Sequence, residues 1–170
     1  MRPVPIPAEV ADPKWKKGAS VRTQEYKTRE PDLKLAGLSL WALAREFPDS
    51  DDHWDRNGID VAAIVEAPGA HVEIRGPYLR SDELAAFREQ IAALHVELKG
   101  SAKLNCIEPA LNITITCDPL GHVEVVVDIT PNHLSQSHQF VFAIDQSYLA
   151  TALSGCQRVL SRFPVETPLG

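Results

Sequence analysis

The chain has 170 residues, of which 44% are hydrophobic and 24% are charged, a composition typical of one soluble globular domain. Its longest apolar runs are a handful of residues, which is too short for a membrane-spanning helix. Prolines interrupt the opening MRPVPIPAEV where a signal peptide needs an unbroken apolar stretch, so we expect a cytoplasmic protein.

The charge is unevenly distributed along the chain. The formal net charge is -6, yet residues 1–31 hold seven Lys and Arg against four Asp and Glu, and the remainder holds ten against nineteen. An acidic body repels nucleic acid and favours a basic partner, although ordinary solubility also needs a net charge of this size. We therefore expect no nucleic-acid partner.

Proline and charge dominate residues 1–32, which show no hydrophobic period and are predicted to form an extended or partly disordered basic arm. Apolar and polar residues alternate in residues 33–43, and the alternation changes phase at Gly37. This pattern predicts a strand with a bulge or turn at the glycine. A polar loop follows at 49–58, and then two partner strands at 59–65 and 71–79.

The clearest helix is predicted at 81–99, with Ser81 as its cap and Gly100 as its end. Its apolar residues step by three and four and form one stripe: Leu84, Phe87, Ile91, Leu94 and Leu98. Three alternating strands are predicted at 111–117, 123–129 and 139–144, with a shorter one at 102–107. One-sided alternation and short connections indicate antiparallel pairing.

A second helix is predicted at 146–163, stopped by Pro164, with the apolar stripe Leu149, Leu153, Cys156, Leu160 and Phe163. The preceding Asp-Gln-Ser-Tyr resembles a catalytic corner. However, Asp145 stands where an N-cap belongs and can accept a hydrogen bond from the amide of Ser147 or Tyr148. No local His and acid supply the base that a catalytic Ser147 needs, so a structural role is favoured.

These elements predict an α+β domain at 33–165, followed by a tail at 166–170. We expect one antiparallel sheet of about six strands, with both helices packed on one face, in the order strands, helix, strands, helix.

No sequence motif points to chemistry. The cysteines, Cys106, Cys117 and Cys156, form no C-x-x-C pair and are predicted to be buried apolar residues. His133 and His138 are five residues apart, a weak indication of a metal site. The segment from His53 resembles the start of a calcium loop but has Ile64 where a bidentate Glu belongs. We predict no catalytic residues, no metal and no cofactor.

Several stretches together resemble the WapI family of bacterial polymorphic-toxin immunity proteins. They are D-R-N-G-I-D-V at 55–61, Y-L-R-S-D-E-L-A-A-F at 78–87, L-K-G-S-A-K-L-N-C-I-E-P-A-L at 98–111, G-H-V-E-V at 121–125, F-V-F-A-I-D-Q-S-Y-L at 140–149 and F-P-V at 163–165. Their order and spacing cover about residues 35–165. The resemblance implies a non-catalytic protein that binds and blocks a cognate toxin domain, often a nuclease.

A nuclease cleft must be basic to hold phosphates, so an acidic inhibitor is steered to it. We expect the contact surface at the acidic loop, with an aromatic anchor among acids: Asp49, Asp51, Asp52, Trp54 and Asp55. In the competing interpretation, Trp54 only packs over the sheet edge.

Two other classes stay open. One is a small-molecule or peptide binding module that uses the sheet face left bare by the helices. The other is an enzyme built from dispersed residues such as His122, Glu124 and Asp128, which share one strand phase.

Overall fold

The computed structural model describes residues 25–168 and divides the chain into two units, 1–30 and 31–170. In the first unit, the described residues form a single 3-10 turn at Glu25–Thr28, in which the Thr28 hydroxyl donates to the Glu25 carbonyl over 2.7 Å. Residues 1–24 of the predicted arm lie outside the described residues.

The second unit is built from two antiparallel sheets of four strands each, in which every strand pairs with its neighbour in sequence. The first sheet contains β1 (Leu33–Leu35), β2 (Leu38–Arg45), β3 (Gly58–Ala67) and β4 (Ala70–Arg80); the second contains β5 (Gly100–Asn105), β6 (Leu111–Cys117), β7 (Val123–Ile129) and β8 (Gln139–Ile144). The helices of this unit are α1 (His53–Arg56), α2 (Ser81–Glu97) and α3 (Ser147–Arg162).

The α+β class and the positions of the two long helices agree with the prediction, but the single sheet of about six strands is wrong. Residues 33–43 make two strands, because Ala36 takes a left-handed conformation with φ 51° and turns the chain beside Gly37. Helix α2 then separates β4 from β5, and the strands on either side pair only among themselves. Alternation reports which face of a strand is buried but not which strands join.

The two long helices do not cover one face of one sheet as predicted. They pack against each other, and α2 lies along β5 while α3 lies along β1. Gly155 of α3 permits the second contact, since a Cβ there would lie 3.0 Å from the Cα of Leu33. Among the described residues, no helix combines the length and apolar character needed to cross a membrane.

One hydrophobic core joins both sheets to α2 and α3. The α2 stripe of Leu84, Phe87, Ile91 and Leu94 is buried as predicted. Leu98 is not part of it: α2 ends at Glu97, and Leu98 turns left-handed with φ 51° and is 38% exposed. Gly100, the predicted helix end, instead begins β5.

All three cysteines are buried, as predicted. Burial raises the pKa of the Cys156 thiol to about 12, and burial raises that of Cys106 further still. Both thiols therefore remain protonated at neutral pH, which suits apolar packing and opposes nucleophilic chemistry.

The two predicted caps have different outcomes. Asp145 accepts from the Ser147 amide over 2.8 Å, and this hydrogen bond is the main cause of the lowered pKa of Asp145. The predicted hydrogen bond therefore forms, but α3 begins at Ser147 and its N-cap position is Gln146 rather than Asp145. Ser81, in contrast, is the first residue of α2 and does not cap it. Its hydroxyl is used elsewhere, accepting from Arg45 over 2.7 Å and donating to the Phe163 carbonyl over 2.9 Å.

Candidate functional site

The acidic loop between β2 and β3 contains the short helix α1, where sequence patterning predicts only a loop. Asp52 caps α1 by accepting from the Trp54 amide over 2.8 Å. The Ser50 hydroxyl accepts from the Asp52 amide and donates to the Asp55 carboxylate, each over 3.2 Å. Side-chain hydrogen bonds to the backbone therefore fix the loop, as Asp and Ser commonly do in turns.

Arg80, the last residue of β4, holds Trp54 in place. Its guanidinium lies 3.7 Å from the centroid of the Trp54 ring and donates to the Trp54 carbonyl over 2.7 Å. Asp82 pairs with the same guanidinium, with Arg80 Nε 3.1 Å from Asp82 Oδ1. Trp54 remains 50% exposed, so one face of the indole is held by a cation–π contact and the rest is open to a partner.

Beside Trp54 lies a cleft of about 130 Å³. Its walls come from the segment after β2, from α1, β3, β4 and α2, and from the segment after β5: Glu46, Trp54, Asp55, Gly58, Pro77, Tyr78, Arg80, Glu83, Ile107 and Glu108. A ligand-sized pocket usually encloses roughly 300–1,000 Å³. This cleft is smaller than a typical small-molecule pocket.

Four carboxylates line the cleft, Glu46, Asp55, Glu83 and Glu108, and the single cation among its lining residues is Arg80. Because Asp82 already pairs with Arg80, little of that positive charge is left to offset the four acids. The cleft therefore concentrates negative charge and favours a cationic group.

Two carboxyl groups of the cleft, those of Glu46 and Glu83, have raised pKa values. Burial raises the pKa of Glu46, and the nearby carboxylates of Asp60, Asp55 and Glu108 raise it further. Burial also raises the pKa of Glu83, although the amides of Ile107 and Arg80 donate to its carboxylate and oppose that shift. A cation placed between these carboxylates would favour their ionised forms and relieve the repulsion.

The predicted contact residues divide into two groups. Trp54 and Asp55 line the cleft, whereas Asp49, Asp51 and Asp52 do not. These last three are exposed on the loop, and Asp52 is occupied as the α1 cap. The structure thus gathers two of the five predicted residues into the cleft and leaves three beside it.

Sequence reasoning missed Glu46, Glu83, Tyr78 and Glu108. Glu83 lies in the first turn of α2, where the helix dipole favours an acidic residue, so its presence there does not by itself indicate a binding site. Its carboxylate accepts a hydrogen bond from the Arg80 amide. Glu108 lies in the resembling stretch at 98–111, which is the one signal that singles it out. No periodicity connects these positions, because four separate segments deliver them.

The dispersed residues of the enzyme alternative lie at the second sheet. His122 is exposed and pairs with Asp118, whose Oδ2 is 2.9 Å from His122 Nδ1. Glu124 and Asp128 lie on the outer face of β7, and Asp128 accepts from the Gln139 side chain over 2.8 Å. None of the three is among the residues that line the cleft beside Trp54.

The two histidines five residues apart in the sequence, His133 and His138, do not form a metal site with their neighbours among the described residues. His133 is exposed, and His138 lies within 3.2 Å of the Gln136 side chain. Within residues 25–168, no group of three or more His, Cys, Asp or Glu side chains is arranged to hold a metal ion. The segment from His53 forms α1 rather than a calcium loop.

Comparison with known proteins gives one match. The model of the immunity protein WapI-like family matches residues 31–164, which include both sheets, the three helices and every residue lining the cleft. No curated protein and no solved structure matches the chain.

Proposed function

The chain belongs to the immunity protein WapI-like family, and from this membership we propose that it binds a cognate bacterial toxin domain and neutralises it without catalysis. The resemblance noted in the sequence is thereby confirmed at the level of the family.

We propose the acidic cleft as the centre of the toxin-binding surface. It presents four carboxylates around a space that fits one long side chain, next to a half-exposed tryptophan. Lys and Arg are the side chains with the matching length and charge, and a toxin that handles phosphates carries them in its own site. The observation that carries the proposal is the convergence of four carboxylates on one cleft whose lining residues include a single cation, Arg80. A bound cation would favour the ionised forms of Glu46 and Glu83, whose pKa values are raised mainly by burial.

Trp54 supplies the apolar part of this surface. Tryptophan is enriched among residues that dominate binding energy, because it buries a large area with few rotatable bonds. Here Arg80 and the α1 cap fix the ring before any partner arrives, which lowers the entropy lost on binding. Asp49, Asp51 and Asp52 form an acidic rim that would speed association more than it would strengthen the complex.

Co-expression tests the function directly. Candidate toxin domains are expressed alone and together with the full chain, and for the cognate toxin we expect growth to be rescued only with the chain present. A stable complex of the two purified proteins is the matching result in vitro. If the chain neither rescues growth nor binds any of these toxins, immunity through these pairings is disproved.

Paired charge substitutions then test the cleft. Glu46→Gln with Glu108→Gln should weaken the complex about tenfold or more and reduce its sensitivity to salt. Glu124→Gln is the control, because it removes a charge from the exposed face of β7, away from the cleft. If the double variant and the control bind the toxin with equal affinity, the contact surface does not include the cleft. That result would still be compatible with the proposed immunity function.

A further inference from the structure

The two sheets have four outer edges, and three of them are protected against pairing with another strand. Strand β1 is covered by α3, whose Arg158 guanidinium donates to the Asp32 carbonyl over 2.9 Å. On β5, the amide of Lys103 donates to the Gln90 side chain of α2 over 2.8 Å. Covering and capping of this kind stop an edge from acting as a template for another chain.

The third protected edge is β4. Pro77 lies within this strand and has no N–H to offer, and Glu73 and Arg75 add charge along it. Its pairing with β3 is also irregular between Ile59 and Val61. Proline, charge and irregular register are the usual devices that keep an edge strand from recruiting a partner.

Strand β8 is the remaining edge, and within residues 25–168 it has none of these devices. Its sequence, QFVFAI, contains neither proline nor a charged residue, and its register with β7 is regular throughout. Among the described residues it pairs with β7 alone. An uncharged, regular and open edge of this kind is a site for strand addition.

The hydrogen bond from the Ile129 amide to the His138 carbonyl, 3.0 Å long, sets the direction of each backbone group on β8. Groups alternate along an antiparallel strand, so Gln139, Val141 and Ala143 direct their N–H and C=O groups away from β7. The side chains of these three residues are exposed, and Val141 is 58% exposed. The outward row is therefore accessible to a partner strand.

We infer that β8 pairs with β8 of a second copy of this chain, antiparallel and around a two-fold axis at Val141. The two four-stranded sheets then become one continuous sheet of eight strands. This pairing uses the whole strand and places Gln139 opposite the second copy's Ala143. Residues with outward backbone groups face each other, as antiparallel hydrogen bonding requires.

The chemistry of the strand favours a second copy over a basic toxin. Between residues 139 and 144 there is no acid to attract a cationic partner, whereas the cleft supplies four. The register around Val141 is self-complementary, because the same backbone groups of the two copies face each other across the two-fold axis.

The partly buried Phe140 and Phe142 lie on the core side of the same strand and stack with centroids 6.3 Å apart. In the paired arrangement, each ring gains a neighbour from the second copy on the same face of the sheet. Aromatic neighbours across strands add to the stability of a sheet. The dimer would thus cover apolar surface that is only partly buried in one copy.

Sedimentation equilibrium of the full chain tests this inference. We expect a monomer–dimer equilibrium in which the average mass approaches that of a dimer at a protein concentration of about 0.5 mM. Dissociation constants in the millimolar range are the weak end of specific association. Val141→Lys places two like charges opposite each other at the axis and should raise the dimer dissociation constant about tenfold or more. Thr116→Lys, on the exposed face of inner strand β6, is the matched control and should leave it unchanged.

Disulfide trapping supplies a second measurement. In a hydrogen-bonded antiparallel pair, Cα atoms lie about 5.5 Å apart, within the range that a disulfide spans. Val141→Cys should therefore form a disulfide dimer under mild oxidation, since the native cysteines are buried, and Thr116→Cys should not. A monomer mass at every concentration overturns the inference. A Val141→Lys variant that weakens toxin binding but leaves the dimer unchanged also overturns the inference, because that result assigns the β8 edge to the toxin.

Discussion

The side-chain amide of Asn57 holds the backbone of Glu166 by two hydrogen bonds, one from Asn57 Nδ2 to the Glu166 carbonyl and one from the Glu166 amide to Asn57 Oδ1, each 2.9 Å long. Asn57 is only 2% exposed and ends α1, and its Nδ2 also donates to the His53 carbonyl over 2.8 Å. The segment after α3 is thereby attached to the acidic loop. Two stretches far apart in the sequence, D-R-N-G and F-P-V, meet at this point.

Asn57→Ala should lower the free energy of unfolding by about 1–3 kcal/mol, because it leaves partly buried backbone groups of Glu166 and His53 without their side-chain partner. Urea denaturation measures the change. Asn105→Ala, at the exposed end of β5, is the control and should stay within about 0.5 kcal/mol of the native protein. Removing residues 166–170 should cost less in the Asn57→Ala background than in the native chain.

Glu46→Gln should stabilise the folded protein at neutral pH. The pKa of Glu46 is raised by burial and by nearby carboxylates, so the folded state holds this proton more tightly than the unfolded chain. Stability is therefore lost as pH rises from the ordinary value of 4.5 through the raised pKa. Since the group is partly exposed and screened, we expect a gain of about 0.5 kcal/mol or less at pH 7.

The pH dependence distinguishes this explanation from a general effect of substitution. Below about pH 4 the carboxyl is protonated in both states, and the advantage of Glu46→Gln should disappear. Urea midpoints at several pH values provide the measurement, with Glu124→Gln as the exposed control. A Glu46→Gln protein that is less stable than the native one at pH 7 would contradict the electrostatic account of the cleft.

Trp54→Ala should weaken toxin binding by about 2 kcal/mol, the loss typical of an aromatic anchor at the centre of an interface. Titration calorimetry with the purified toxin domain gives the affinity. Tyr148→Ala is a matched control, because Tyr148 is 49% exposed against 50% for Trp54 and lies on α3 rather than at the cleft. If both variants bind equally well, Trp54 only packs against Arg80 and contributes no anchor.

Gly155→Ala should destabilise the protein by about 1–3 kcal/mol, although alanine favours helix formation more than glycine does. The added Cβ would lie 2.8 Å from Leu33 Cδ1 and 3.0 Å from the Asp32 carbonyl oxygen, forcing α3 away from β1. Thermal unfolding measures the effect. Ser154→Ala is the exposed neighbour on the same helix and should be neutral or slightly stabilising.

Part of the site could be predicted because its signals are local. The cluster of acids with Trp54 is visible in ten consecutive residues, and it does deliver Trp54 and Asp55 to the cleft. The other carboxylates come from the segment after β2, the first turn of α2 and the segment after β5. Their convergence depends on tertiary packing between these separate segments, which no spacing in the sequence encodes.

The sequence by itself determined which residues are buried and where the long helices lie, and it identified the family. Hydrophobic period, the hydrogen bond from the Ser147 amide to Asp145 and the burial of cysteine follow from backbone geometry and side-chain polarity over a few residues. Only the tertiary structure decided that the strands form two sheets, that four carboxylates share one cleft and that β8 is left open. These features depend on packing between segments distant in sequence, where local rules leave several arrangements equally acceptable.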